Sequence, residues 1–141
     1  MKKFIFLFTL FFSWNCIANE IFESQSMEEN KYEIAYFLSA SIPEKTLASL
    51  MKSAENKNIP IYFNGLIDDS VDKTAKYILY LVQKYKVNGI EIDPNRFEYY
   101  NIKAVPALIK RCDNKFDIIY GSGSIEQSLD IIKSEGDCKN E

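Results

Sequence analysis

Histidine is absent from all 141 residues. That removes the commonest general base and the commonest metal ligand together, so Ser-His-Asp and Cys-His mechanisms are excluded. Cysteine and glycine are scarce, at three and five residues. Two or three cysteines with no histidine to join them argue against a tetrahedral zinc site, and no glycine-rich loop of the P-loop or dinucleotide type occurs. Neither metal nor cofactor is expected. The chain also lacks a Cys-x-x-Cys pair: Cys16, Cys112 and Cys138 stand far apart.

Long apolar runs are missing as well. The run from Phe4 to Phe12 falls short of the roughly 20 residues that span a bilayer, and no later segment approaches that length. With Lys2 and Lys3 before it and Ser13, Asn15 and small Ala18 after it, this run reads as an export signal over residues 2–18, cleaved after Ala18. Cys16 invites a lipid-anchor reading, but Ser13-Trp14-Asn15 lacks the small residue that attachment needs beside the cysteine. A periplasmic mature chain without an integral membrane segment is expected.

Cleavage would remove Lys2 and Lys3 and no acidic residue, taking the formal charge from −3 to −5. Acidic balance argues against a direct nucleic-acid surface, which needs clustered cations. Cleavage would also remove Cys16, leaving Cys112 and Cys138 as an even pair in an oxidising compartment, where a structural disulfide is the default.

Residues 19–31 are mostly Glu, Ser, Asn and Lys, the composition of a flexible leader, so folding is expected from Tyr32 to Cys138, with a tail at 139–141. Ile34 to Leu38 suits a buried strand; Leu47, Leu50, Met51 and Ala54 then recur on one helical face. Ile59 to Phe63, ended by Asn64-Gly65, reads as a second strand. Val71, Ala75, Ile78, Leu79, Val82 and Tyr85 follow as the apolar stripe of a long helix, with Tyr77 and Leu81 on its flank and Tyr80 opposite, among Lys73, Lys76 and Gln83. Asp68, Asp69 and Asp72 fall where negative charge complements that helix's dipole.

Gly89 to Ile92 gives a short strand, and Asp93-Pro94 supplies a cap and a first-turn proline for a brief helix through Tyr99. Ala107 to Arg111 and Phe116 to Tyr120 form a hairpin about Asp113-Asn114-Lys115, and a last helix runs from Ile125 to Lys133. The order β-α-β-α-β-α-β-β-α predicts a single α/β domain, a mixed sheet with helices on both faces.

Several stretches in this order resemble the F-type TrbC family, thioredoxin-like proteins of conjugative pilus assembly in type IV secretion systems. They are Tyr36-Phe37-Leu38-Ser39, Ser41-Ile42-Pro43-Glu44, Gly89-Ile90-Glu91-Ile92-Asp93-Pro94 with Phe97, Tyr100 and Ile102, then Val105-Pro106-Ala107-Leu108 and Gly136-Asp137-Cys138. The resemblance spans about residues 34 to 138. It implies a thioredoxin-like fold, a periplasmic role in assembling an F-like pilus, and partners among other conjugation proteins, a TraW-like protein in particular.

Thioredoxins place their reactive cysteines where the first strand turns into the first helix. The resemblance sets Ser41-Ile42-Pro43-Glu44 there, and Ser41 and Glu44 have the S-x-x-E spacing of a capping box. It also implies a cis bond at Val105–Pro106, facing that helix turn. Ser41, Pro43 and Val105 are then candidates for holding an extended partner peptide, and Tyr77 and Tyr80 are candidate anchors on the second helix. Two functions compete: a redox-inactive assembly factor acting through protein contacts, and a periplasmic thiol–disulfide oxidoreductase or isomerase. The placement of the cysteines favours the first, and no catalytic residue is assigned.

Overall fold

Five strands form one sheet in the order β3-β2-β1-β4-β5. The computed structural model describes residues 31–140; the expected export signal, its cleavage point and nearly all of the expected leader lie outside them. The elements are β1 (Tyr32–Ser39), α1 (Glu44–Asn56), β2 (Ile61–Asn64), α2 (Val71–Tyr85), β3 (Ile90–Ile92), α3 (Pro94–Tyr99), β4 (Ala107–Cys112), β5 (Lys115–Tyr120) and α4 (Ile125–Glu135).

Strands β1, β2 and β3 are parallel, and β4 and β5 are antiparallel to their neighbours. Both parallel crossovers step the same way across the sheet, so the right-handed rule places α1 and α2 on one face. There Tyr36, Leu38, Ile61, Phe63 and Leu108 meet Leu47, Met51, Leu81 and Ile125 in the main core. The alternate residues Ala35, Phe37, Tyr62, Ala107 and Ile109 point to the other face, which α3 covers with Phe97 and Tyr100. This is the expected thioredoxin-like arrangement, with helices on both faces but three on one and a single short one on the other.

Boundaries move where local chemistry decides. The second strand begins at Ile61 rather than Ile59, after Pro60, which has no N–H to donate. Asp93 caps α3 as expected, accepting from Arg96 N at 3.1 Å. Ser70 caps α2, accepting from Lys73 N at 3.3 Å, and Ser124 and Gln127 close a capping box on α4. Asp68 and Asp72 pair with Lys73 and Lys76.

The expected stripe on α2 is rotated. Thr74 and Leu81 are its buried residues, whereas Val71 and Leu79 are 60% and 55% exposed. The helix has an apolar arc wider than the sheet beneath can cover, and its core side is the one that abuts α1.

A second polar layer holds the short helix down. Glu33 on β1 is buried and accepts from Tyr62 Oη at 3.1 Å, from Tyr100 Oη at 2.7 Å and from the Arg96 guanidinium. Arg96 also donates to Asp93 at 3.1 Å and lies 4.4 Å over the Tyr62 ring.

Tyr36 is the exception to this satisfaction. Its hydroxyl is buried with no hydrogen-bond partner among the described residues, and burial pushes its pKa up to about 12. An unmade bond leaves the desolvation cost of the group standing, about 1–3 kcal/mol. Tyr36→Phe should therefore leave stability unchanged or raise it by up to about 1–2 kcal/mol in urea unfolding.

Candidate functional site

The turn from β1 into α1 is built by Ser39, Ser41, Ile42 and Pro43. The Ser39 and Ser41 hydroxyls lie 2.6 Å apart, Ser39 Oγ accepts from Ser41 N at 3.3 Å, and Ile42 N donates to Ser39 O at 3.2 Å. Gly65, at φ +93°, ends β2 beside this turn; a Cβ there would stand 3.2 Å from Ser39 Cβ. Ser41 and Pro43 are exposed and Ile42 is buried in the main core.

The expected capping box does not form. Pro43 holds the cap position of α1, with no side-chain cap bond, and Leu47 N donates to Pro43 O at 2.9 Å. The helix starts two residues late for the S-x-x-E pattern. Ser41 is too far upstream to reach the free amides, and Glu44 sits at the first helical position instead of the third.

Glu44 instead joins α1 to α2. Its Oε1 accepts from Lys84 Nζ at 2.7 Å, Tyr85 Oη at 2.6 Å and Tyr80 Oη at 3.2 Å, while Lys84 Nζ also donates to Tyr80 Oη at 2.5 Å. The Lys84 and Tyr85 donors hold the Glu44 carboxyl below its ordinary 4.5. The same contact with Glu44, reinforced by Tyr80, raises Lys84, and the Tyr85 phenol is raised first by its bond to Glu44. A carboxyl lowered on folding contributes stability above its unfolded pKa and loses it as pH falls through the folded value. Glu44→Gln should therefore flatten the fall in thermal stability of the protein below about pH 4.5, as read by circular dichroism.

This hub ties Tyr80, one of the expected residues, to the start of α1, directly after Pro43. Tyr80 is 42% exposed and stacks on half-buried Tyr77 at 6.2 Å. It leans toward α1 and the Ser41–Pro43 turn, not out among Lys73, Lys76 and Gln83. The β1–β4 register pairs Phe37 with Ala107, so Val105–Pro106 continues β4 past this same end of the sheet. The Val105–Pro106 bond is cis, Pro106 O accepts from Gly121 N at 2.9 Å, and half-buried Val105 packs on both apolar clusters.

Sequence reasoning missed Lys84 and Tyr85. The signal was the i, i+4 spacing of Tyr80 and Lys84, but their shared acid lies 36 and 40 residues upstream, where no local pattern reaches.

The cysteines lie elsewhere. A Cys112–Cys138 disulfide, Cα–Cα 5.6 Å, ties the end of β4 to the segment after α4, and both residues are buried. Cys112 pairs with Tyr32, seven residues before Ser39 at the α1 turn, so the bridge lies roughly 23 Å down the sheet from that turn. No group of three or more potential metal ligands occurs among the described residues, and none of their helices is long and apolar enough to cross a membrane.

The topology defines a thioredoxin-like domain in which Ser41-Ile42-Pro43 leads into the first helix at Glu44 and no cysteine stands at that turn. Residues 36–139 match the model of the type-F conjugative transfer system pilin assembly proteins. The chain belongs to this F-type TrbC family. It is 36% identical over 104 residues to the periplasmic protein TrbC of Escherichia coli strain K12; the match covers 74% of this chain and 49% of that protein, so the chain spans about half the length of its relative. A secreted Mycobacterium tuberculosis disulfide oxidoreductase, homologous to E. coli DsbE, aligns at 16% identity and a TM-score of 0.43 over 74% of this chain and 80% of that one. That likeness is too slight to add to what the topology gives.

Proposed function

We propose that the chain is a periplasmic, redox-inactive assembly factor for an F-like conjugative pilus or type IV secretion system, working by contact with partner proteins, a TraW-like protein among them. The patch we assign to this contact comprises Ser41 and Pro43 at the α1 turn, Tyr77 and Tyr80 beside it, and Val105 before Pro106. The observation that carries the reading is that the acid of the α1 turn, Glu44, is consumed in joining two helices while the cysteines are locked at the sheet's other end. Membership of a pilin assembly family and a periplasmic relative support the setting. The sequence of residues 2–18, with cleavage after Ala18, is consistent with export. An extended partner segment would pair with the backbone at Val105 and set its side chains against Tyr80.

A photo-cross-linking residue at Tyr80, in cells making the pilus, should capture a conjugation protein, and Ser41→Arg with Pro43→Arg should abolish that adduct and cut pilus number about tenfold while circular dichroism stays unchanged. Full piliation with a natively folded double variant would remove the patch from the account. Turnover in an insulin-reduction assay would favour the oxidoreductase or isomerase alternative.

A further inference from the structure

We propose that the free edge of β5 docks an extended segment of a partner protein, apolar or aromatic at alternate residues and acidic at its ends, which joins the sheet as a sixth strand. This surface runs along β5 and approaches the α1 patch only at its Lys103 end, two residues before Val105. Strand β5 lies at the end of the sheet order, and no strand among the described residues pairs with its outer side.

The register fixes which groups point outward. Gly121 N donates to Pro106 O and Asp113 N to Lys31 O, and residue pairs in an antiparallel ladder alternate between bonded and non-bonded. Lys115, Asp117 and Ile119 therefore bond β4, while the N–H and C=O of Phe116, Ile118 and Tyr120 face outward. Their side chains share the face that, among the described residues, α3 alone covers, where Phe116 and Tyr120 are 39% and 45% exposed and the Tyr100 ring meets Phe116 edge-on at 5.1 Å.

Edges of this kind are usually blunted by a charge, a proline or a bulge. Here the pairing from Ala107–Tyr120 to Cys112–Lys115 runs without a bulge. Asp117, the one acid on β5, points to the opposite face, where its two oxygens accept from Asp137 N and Cys138 N, each at 2.9 Å. It does not guard the edge.

Charge identifies the occupant. Lys115 opens the strand, and Lys103 stands at its far end, where Lys103 N lies 3.3 Å from Tyr120 Oη. Neither ammonium has an ion pair among the described residues. A segment with acids near both ends complements this pair. A second copy does not: antiparallel self-pairing about Ile118 sets Phe116 opposite Tyr120 of the copy, which brings Lys115 toward the copy's Lys103.

The test uses two synthetic peptides with one core, acetyl-Glu-Val-Thr-Phe-Thr-Val-Glu-amide and its lysine-ended counterpart, titrated into the protein with residue-resolved amide exchange. The acidic peptide should slow exchange at Phe116, Ile118 and Tyr120 and bind about tenfold more tightly than the lysine form; Lys103→Glu with Lys115→Glu should reverse that order. Ile118→Pro removes one outward donor without touching the ladder and should weaken binding. Equal binding of the two peptides, protection elsewhere, or no protection would overturn the proposal. So would amides already protected in the free monomer, or protection that grows with the protein's own concentration, which would make a second copy the occupant.

Discussion

Replacing Cys112 and Cys138 together by serine should lower the stability of the folded domain by about 3.5 kcal/mol, the loop-closure entropy for a separation of 26 residues. The bridge closes a loop containing β5 and all of α4, so without it the unfolded chain recovers the freedom of that loop. Cys112, Ile132 and Cys138 form their own small apolar cluster, with Ile119 against it, and the serine hydroxyls would be poorly accommodated there. The melting temperature should fall by roughly 15 °C, at about 4 °C per kcal/mol for a domain near 100 residues. A loss under about 1 kcal/mol would mean that α4 is held by packing alone and that the bridge has another purpose.

Glu33→Ala should be nearly as severe, about 2–3 kcal/mol, since it leaves two phenols without their acceptor and Arg96 with Asp93 as its remaining acid. The side chains of Glu33 and Arg96 are 7% and 14% exposed. Loss of the carboxylate would leave the Tyr62 and Tyr100 phenols without this acceptor and Arg96 held by Asp93. Because these groups bind α3 to β1 and β2, the near-ultraviolet signal of Tyr62, Phe97 and Tyr100 should weaken even in variants that remain folded. Glu33→Gln keeps an acceptor for the phenols and should cost less. Equal stability of wild type and Glu33→Ala would show that α3 is held by Phe97 and Tyr100 alone.

How far the sequence discloses this molecule depends on the range of the interaction. The strands and the β4–β5 hairpin are legible because apolar alternation and the Asp113-Asn114 turn act over a few residues, and α3 announces itself through Asp93-Pro94. Ser41 and Glu44 mislead because the pattern they match needs a helix start that Pro43 moves downstream, its ring disfavouring helical geometry at Ile42. On α2 the apolar arc runs from Tyr77 round to Leu79, and periodicity cannot say which part the sheet will cover. Glu33 looks like an ordinary strand acid, because its partners Tyr62, Arg96 and Tyr100 lie 29, 63 and 67 residues further on. The candidate patch was half visible for the same reason: Ser41, Pro43 and Tyr80 stand out individually, while Glu44, which ties Tyr80 to the start of α1, acts across 36 to 41 residues.

Contact without thiol exchange is most directly tested by acid-quenching cells during pilus assembly, alkylating free thiols and resolving the chain without reductant. Both cysteines should be recovered entirely in the intrachain Cys112–Cys138 bridge at every time point. A mixed disulfide joining either cysteine to another periplasmic protein would contradict the account.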